Sequence, residues 1–311
     1  MRAGVAFGER VSGGRVRAPA LGLRQRCSAY VEVAKPRITL MALFAVVVGY
    51  VVGSQGRWDL RALANVFVGL AAVATSCHVL NQWIERAIDA RMRRTWHRPL
   101  PTRRLHPREA LAFGLVSAVF GLLWLMLQCP TVTVLLAATT LVTYVGIYTP
   151  LKRRTPLSVV VGAVPGALPP VIGWSVGGDL NAVTAALFGM LFLWQVPHVM
   201  SIAWLYRNDY RTGGLRMIPA DGGCPECVGW VSVVYCVALF GVSLLPRWFG
   251  VAGELYVVAA AVTGIQYAIA ALAFACGPSD GRARMLLRSS LWYLPVAFGS
   301  LALEHIWWLV P

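Results

Sequence analysis

The segment Asn81–Leu100, NQWIERAIDARMRRTWHRPL, gathers acids, an amide and arginines in a chain that is otherwise largely hydrocarbon. Asn81, Glu85 and Asp89 are spaced i, i+4, i+8, which on a helix sets them on one face within about 80° of arc. Arg93, Arg94 and Arg98 follow, and Arg103 and Arg104 stand in the next loop. A carboxylate face can hold Mg²⁺, and guanidinium groups can hold phosphate oxygens. The pattern therefore implies a metal–diphosphate site at a membrane surface. The plainer alternative is a solvated loop whose arginines only set topology. It accounts for the arginines but not for the aligned Asn, Glu and Asp.

A second polar cluster stands in an equivalent place. In Trp194–Ala220, WQVPHVMSIAWLYRNDYRTGGLRMIPA, His198 lies inside an apolar run. Arg207, Asp209, Tyr210 and Arg211 lie at its end, and Gly213 and Gly214 follow. A third polar joint, Tyr148–Ser158, contributes Lys152, Arg153 and Arg154. Two acid-plus-arginine clusters facing each other would grip a diphosphate through Mg²⁺ from both sides.

The elements that must position these residues follow from composition. Of 311 residues, 58% are hydrophobic and 13% charged, against roughly 25% charged in a soluble protein. The chain reads as an all-α polytopic membrane protein, nine transmembrane helices around a central cavity. The spans lie near 38–55, 62–84, 110–127, 131–149, 157–176, 182–203, 227–246, 252–275 and 289–309. Residues 31–311 form one domain behind a flexible tail, 1–30. Of the 28 basic residues, all but Arg57, Arg61 and Arg247 fall on one side of that topology, and only Lys35 and Lys152 are lysine. This bias puts the N-terminus in the cytoplasm and the C-terminus outside. It also explains the net charge of +15 without nucleic acid as a partner; the partner is the lipid bilayer. No apolar stretch precedes Ile38, which argues against a cleaved secretory signal. A bacterial inner membrane is favoured, and an arginine-rich start leaves a mitochondrial inner membrane as the alternative. Cys77, Cys129, Cys236 and Cys276 lie within or beside spans, as small apolar residues do. Cys224 and Cys227 form a CPEC pair with no further ligands at zinc-like spacing.

Taken together, these segments resemble a known family. Asn-x3-Glu-x3-Asp-x2-Met-x-Arg-Thr-x2-Arg-Pro-Leu from Asn81 is similar to the first aspartate-rich motif of the intramembrane aromatic prenyltransferases. YTPLKRRT (Tyr148–Thr155), GAVPGALPPVIGW (Gly162–Trp174), FLWQVPHV (Phe192–Val199), DYRTGGLRMIP (Asp209–Pro219) and VEVAKPRIT (Val31–Thr39) resemble the protohaem IX farnesyltransferase, or haem O synthase, branch. The likeness covers roughly residues 30 to 300. Ile218-Pro219-Ala220 departs from a usual Leu-Pro-Val, and Val199 and Met200 follow His198 where aromatics are common; the CPEC pair lies outside the pattern.

The resemblance implies transfer of a farnesyl group from farnesyl diphosphate to a vinyl of haem B. Water is added, giving haem O for terminal oxidases, with a haem A synthase as a candidate partner. Mg²⁺ is the expected cofactor and haem B a substrate. Asn81, Glu85, Asp89 and Asp209 would hold the metal; Asn81, Arg94, Arg98, Lys152 and Arg153 would bind the diphosphate. Asp89, Asp209, Lys152 and His198 are the expected catalytic set. A histidine within a span is costly enough to suggest function, so His198, and after it His78, are candidates for haem contact. If the sixth span is unbroken, His198 lies about 16 Å deeper than Asp209. Two alternatives remain: a prenyltransferase acting on a quinone or chlorophyll-type acceptor, and a transporter of haem or anionic lipid.

Overall fold

The computed structural model describes residues 22–217 and 225–309. Among them, nine helices are long and apolar enough to cross a membrane: Pro36–Gly53, Leu60–Asp89, Pro107–Gln128, Thr131–Leu151, Ser158–Gly177, Ala182–Leu205, Glu226–Trp248, Glu254–Ala275 and Asp280–Trp307. The protein is an all-helical, multi-pass membrane protein. Its large exposed side chains, Leu127, Val234 and Ile269 among them, are those that a hydrocarbon solvent accepts. Cys224 and the run Ile218–Ala220 lie outside the described residues.

Local chemistry starts and stops the helices. Asp59 opens the second span, its Oδ1 accepting from Arg61 N at 2.8 Å and Ala62 N at 3.2 Å. Asn181 does the same for the sixth span through Val183 N at 2.9 Å and Thr184 N at 3.3 Å. Such caps are worth about 1 kcal/mol each. At the opposite end of the bundle from the acid motif, buried Glu304 accepts from Gly253 N at 2.8 Å, Leu255 N at 3.1 Å and Tyr256 N at 3.2 Å. It thereby satisfies the first turn of the eighth span with a side chain of the ninth.

Irregularities in the fourth and fifth spans border the cavity described below, and the sixth span gives way to a turn at its end. The fourth passes through a π-helical stretch, Val142–Tyr148, which brings both Tyr144 and Tyr148 to the interior. The fifth breaks at Leu168, between Ser158–Ala167 and Pro169–Gly177; prolines at 165, 169 and 170 remove three backbone donors. The sixth ends at Leu205, and Tyr206, at φ −110° and ψ 22°, turns the chain into a short helix, Arg207–Gly213. The unbroken extrapolation from His198 to Asp209 therefore fails. His198 stands about 10 Å above the Leu205 end by helical rise, and the polar residues beyond belong to a separately oriented turn.

The first and fifth spans pack backbone to backbone. A Cβ on Gly49 would lie 1.9 Å from Pro170 O, and one on Gly173 would lie 2.0 Å from Val46 O. With little hydrophobic drive between helices in lipid, close approach at small residues is what joins them.

A helix not expected from the sequence precedes the first span. Leu23–Ala34 is helical, so residues 23–30 are not free tail. It lies across the bundle end through Arg26–Glu109 at 2.7 Å and Arg104–Glu32 at 2.7 Å. Gln82 Nε2 donates to its Val33 O at 2.8 Å. Lys35, in the left-handed region at φ 51°, turns the chain from this helix into the first span, which opens on Pro36.

Gly173→Ala is expected to lower the thermal unfolding temperature in detergent, since overpacking costs about 1–3 kcal/mol. Gly241→Ala, where an added Cβ meets nothing within 4 Å, should leave it unchanged or raise it. Paired melting curves measure the difference.

Candidate functional site

The second span stays helical to Asp89, so the i, i+4, i+8 spacing does place Asn81, Glu85 and Asp89 on one face. All three are buried. Each meets a partner from another segment. Asn81 Nδ2 donates to Thr149 Oγ1 at 3.1 Å. Glu85 Oε1 pairs with Lys152 Nζ at 2.6 Å. Asp89 Oδ2 accepts from Arg98 Nη1 at 2.7 Å, while its Oδ1 is buried with no hydrogen-bond donor. Removing one member of such a pair strands a buried charge, at a cost of about 3–5 kcal/mol.

The second cluster comes to the first. Asp209 Oδ2 accepts from the backbone N–H of Arg94 at 2.8 Å. The Arg94 guanidinium lies 5.2 Å from the Tyr206 ring centroid and 5.6 Å from that of Tyr210, and its Nε is buried without an acceptor. The joint after the fourth span is tied in by Arg216 N donating to Lys152 O at 2.9 Å. Gly213 sits against Ile88 and Met92, where a Cβ would lie 2.9 Å from the Met92 sulfur. Arg153 differs from the other cations expected here: it is exposed and lines a groove of about 370 Å³ on the outer side of Glu85 and Thr149.

Behind this polar end the bundle encloses a cavity of about 590 Å³. It is lined by Lys35, His78, Tyr144, Tyr148, Gln195 and His198 among mostly apolar side chains. Tyr148 joins the two regions, since Lys152 Nζ lies 4.5 Å from its ring centroid. His78 meets Tyr144 edge to face at 6.3 Å. His198 stacks on Trp194 at 4.8 Å, and its Nδ1 lies 2.7 Å from Ser290 Oγ.

A family model described as the UbiA prenyltransferase family matches residues 42–294. The chain belongs to the UbiA prenyltransferase family. A protein from Solibacter usitatus named protoheme IX farnesyltransferase is 40% identical over 287 residues, covering 89% of this chain and 98% of that one. One of the same name from Opitutus terrae is 38% identical over 281 residues, covering 90% and 95%. Among solved structures, a digeranylgeranylglyceryl phosphate synthase superposes with a TM-score of 0.77 at 16% identity, over 91% of this chain and 99% of that chain. A UbiA homologue from Archaeoglobus fulgidus bound to DMAPP and Mg²⁺ gives 0.64 at 17% identity, over 88% and 98%. At these identities the two structures speak to the fold alone.

Within the UbiA-family frame, the sequence does not single out the cavity residues Lys35, Tyr144 and Gln195, nor Ser290, which meets His198. One signal for Lys35 was available. In a chain whose topology-setting cations are arginines, the only two lysines are Lys35 and Lys152, and both stand at this site. Lys35 is held down from 10.5 to about 7, by burial first and then by Arg98 and Lys152. Burial and the neighbouring Arg98 and Lys152 thus disfavour the charged form of Lys35. Below about pH 7 Lys35 already carries its proton; above it, binding an anion must draw one in. Inorganic diphosphate should thus bind more weakly as pH rises above about 7, with proton uptake seen by calorimetry in buffers of different ionisation enthalpy. Lys35→Met should remove that proton from the uptake, leaving only the exchange that comes from diphosphate's own ionisation. An unchanged uptake in that variant would remove Lys35 from the anion site.

Proposed function

We propose that the protein transfers the farnesyl group of farnesyl diphosphate to a vinyl of haem B, giving haem O. The observation that carries this reading is the junction of a buried acid–cation shell with an apolar cavity holding two histidines. The names of its near-full-length relatives support it. The shell suits a diphosphate, and the cavity suits a hydrocarbon chain and a flat macrocycle.

The residues present fit a divalent cation. Among the described residues no three of His, Cys, Asp and Glu gather into a preformed cage. Magnesium does not need one, because it takes one or two carboxylates and completes its octahedron with phosphate oxygens and water. Asp89, with one buried oxygen lacking any donor, and Asp209 across from it would hold the ion, with Glu85 and Asn81 behind. When bound, Mg²⁺ would supply positive charge to the diphosphate oxygens. Arg94, Arg98 and Lys152 stabilise the charge that develops on the diphosphate as the allylic C–O bond breaks. Arg153 contributes from the outer groove. The vinyl's π-electrons then form the new C–C bond to the allylic carbon. The cation left beside the porphyrin ring takes a hydroxyl from water and releases a proton. The chain's part is to align the vinyl with the allylic carbon and to exclude water until that bond has formed. His198 acts on the haem, with His78 as the second cavity histidine.

In the cell the arginine-rich end faces the cytoplasm, in a bacterial inner membrane. The N-terminus lies inside and the C-terminus outside, and a haem A synthase is a natural consumer of the product.

Incubating purified protein with haem B, farnesyl diphosphate and Mg²⁺ should yield the hydroxyethylfarnesyl porphyrin by mass spectrometry. A prenylated quinone precursor, or no covalent product, would sink the reading. Asp209→Asn keeps an oxygen to cap Arg94 but removes the charge. It and Asp89→Asn should each lower kcat about a hundredfold or more, the scale for one lost electrostatic contact to a transition state. Near wild-type turnover in either variant withdraws that residue from the metal.

Exposed Arg103, in the left-handed region at φ 58°, serves as the control. Arg103→Ala should leave the KM for farnesyl diphosphate within about twofold, while Arg94→Ala raises it by about tenfold or more, a charge-assisted contact being worth roughly 1.5–3 kcal/mol. Equal small effects on initial rates would favour a purely topological role for these arginines.

A further inference from the structure

The cavity holds two histidines, and the hydrogen bonds around them are not equivalent. His198 Nδ1 lies 2.7 Å from Ser290 Oγ. Ser290 is fully buried in the ninth span, and its hydroxyl also lies 2.6 Å from Leu287 O. A carbonyl oxygen can only accept, and a serine hydroxyl has one hydrogen. With that hydrogen directed to Leu287 O, Ser290 Oγ accepts at His198. Nδ1 therefore carries the proton, and the neutral imidazole keeps its lone pair on Nε2.

The ring plane is fixed as well. Trp194 stacks on it at 4.8 Å and 20°, and Trp194 Nε1 donates to Ser290 O at 2.7 Å. Tyr267 of the eighth span donates to Trp194 O at 3.1 Å. Three spans thus hold one imidazole by tautomer and by plane. His198 lines the cavity, and its Nε2 has no hydrogen-bond partner among the described residues. A histidine that merely filled the core would be expected to satisfy both nitrogens or to turn the unsatisfied one to lipid-free protein. His198 satisfies only the nitrogen that meets Ser290. His78 lacks any such arrangement: its Nδ1 is buried and without a partner, so nothing selects its tautomer.

We propose that Ser290 is a positioning residue that locks His198 in the Nδ1–H tautomer and presents Nε2 to the iron of a metalloporphyrin as an axial ligand. The proposal rests on the haem-prenylating reading above and deepens it. It distinguishes the two cavity histidines and makes the iron, not only the apolar ring, a recognised feature of the acceptor. The logic is that of metal-binding histidines generally, whose second nitrogen is held by a hydrogen-bond acceptor that sets orientation and basicity.

The test uses the full-length protein in detergent or nanodiscs. Wild type should bind haem B more tightly than metal-free protoporphyrin IX, by at least the about tenfold that losing a ligand's supporting partner costs. Resonance Raman of the ferrous complex should show an iron–histidine stretch. Ser290→Ala should shift or abolish that stretch and cut haem affinity by about tenfold, leaving the affinities for protoporphyrin IX and for farnesyl diphosphate unchanged. Ser290→Thr, which keeps the hydroxyl, should restore the signature. His198→Ala should erase it, and His78→Ala should not. Equal wild-type affinity for haem and metal-free porphyrin overturns the proposal without any variant having to fold. So does an iron–histidine band indifferent to Ser290→Ala or lost in His78→Ala. If haem is bound and prenylated in any of these cases, the proposed function stands and only the ligation fails; if neither porphyrin binds, both fail.

Discussion

A carboxylate can be buried at the end of a hydrocarbon bundle only if a counter-charge is brought to it, and this condition organises the rest of the molecule. Asp89 and Glu85 point inward from a span, and their cations come from elsewhere: Arg98 from the loop that follows, Lys152 from the joint after the fourth span. Those loops must therefore fold back over the bundle end instead of extending into water. Once they do, Asp209 can cap the Arg94 backbone and Arg216 can bond to Lys152 O, so that the second, fourth and sixth spans share one polar roof. The pairing is strong in the low-dielectric interior. On the proposed function it is also poised for exchange, because a diphosphate with a divalent ion would offer the same cations an anion and the same anions a cation.

Below that roof the same chain solves the opposite problem, keeping a space open among close-packed helices. The first and fifth spans touch through Gly49 and Gly173 with no side chain between. Nearby, prolines break the fifth span and a π-helical stretch overfills a turn of the fourth. Irregular backbone is tolerated at membrane depth where it is buried in protein or lines a cavity, and Tyr144, Tyr148 and Gln195 line this one.

Much of this was legible in the residues. Nine apolar runs appear as nine spans, the one-face spacing of Asn81, Glu85 and Asp89 survives intact, and the two acid-bearing span ends do meet. What stayed hidden depended on contacts distant in sequence or on a local break. Ser290 is an unremarked serine until the fold sets it beside His198, 92 residues away. The turn at Tyr206 carries no proline or glycine to announce it. The helix Leu23–Ala34 has a weak apolar stripe and owes its place to partners elsewhere. Lys35 alone was visible in principle, as one of two lysines among 28 basic residues.

That N-terminal helix has a consequence for how the protein is made. It is the first described element to leave the ribosome, yet the groups that anchor it among the described residues are synthesised later. Gln82 follows Val33 by 49 residues, Arg104 follows Glu32 by 72 and Glu109 follows Arg26 by 83. Until the second span and its loop have entered the bilayer, the helix has only lipid headgroups to lie against. Its docking, and with it the final seat of Lys35, waits for the second span and the loop that follows it.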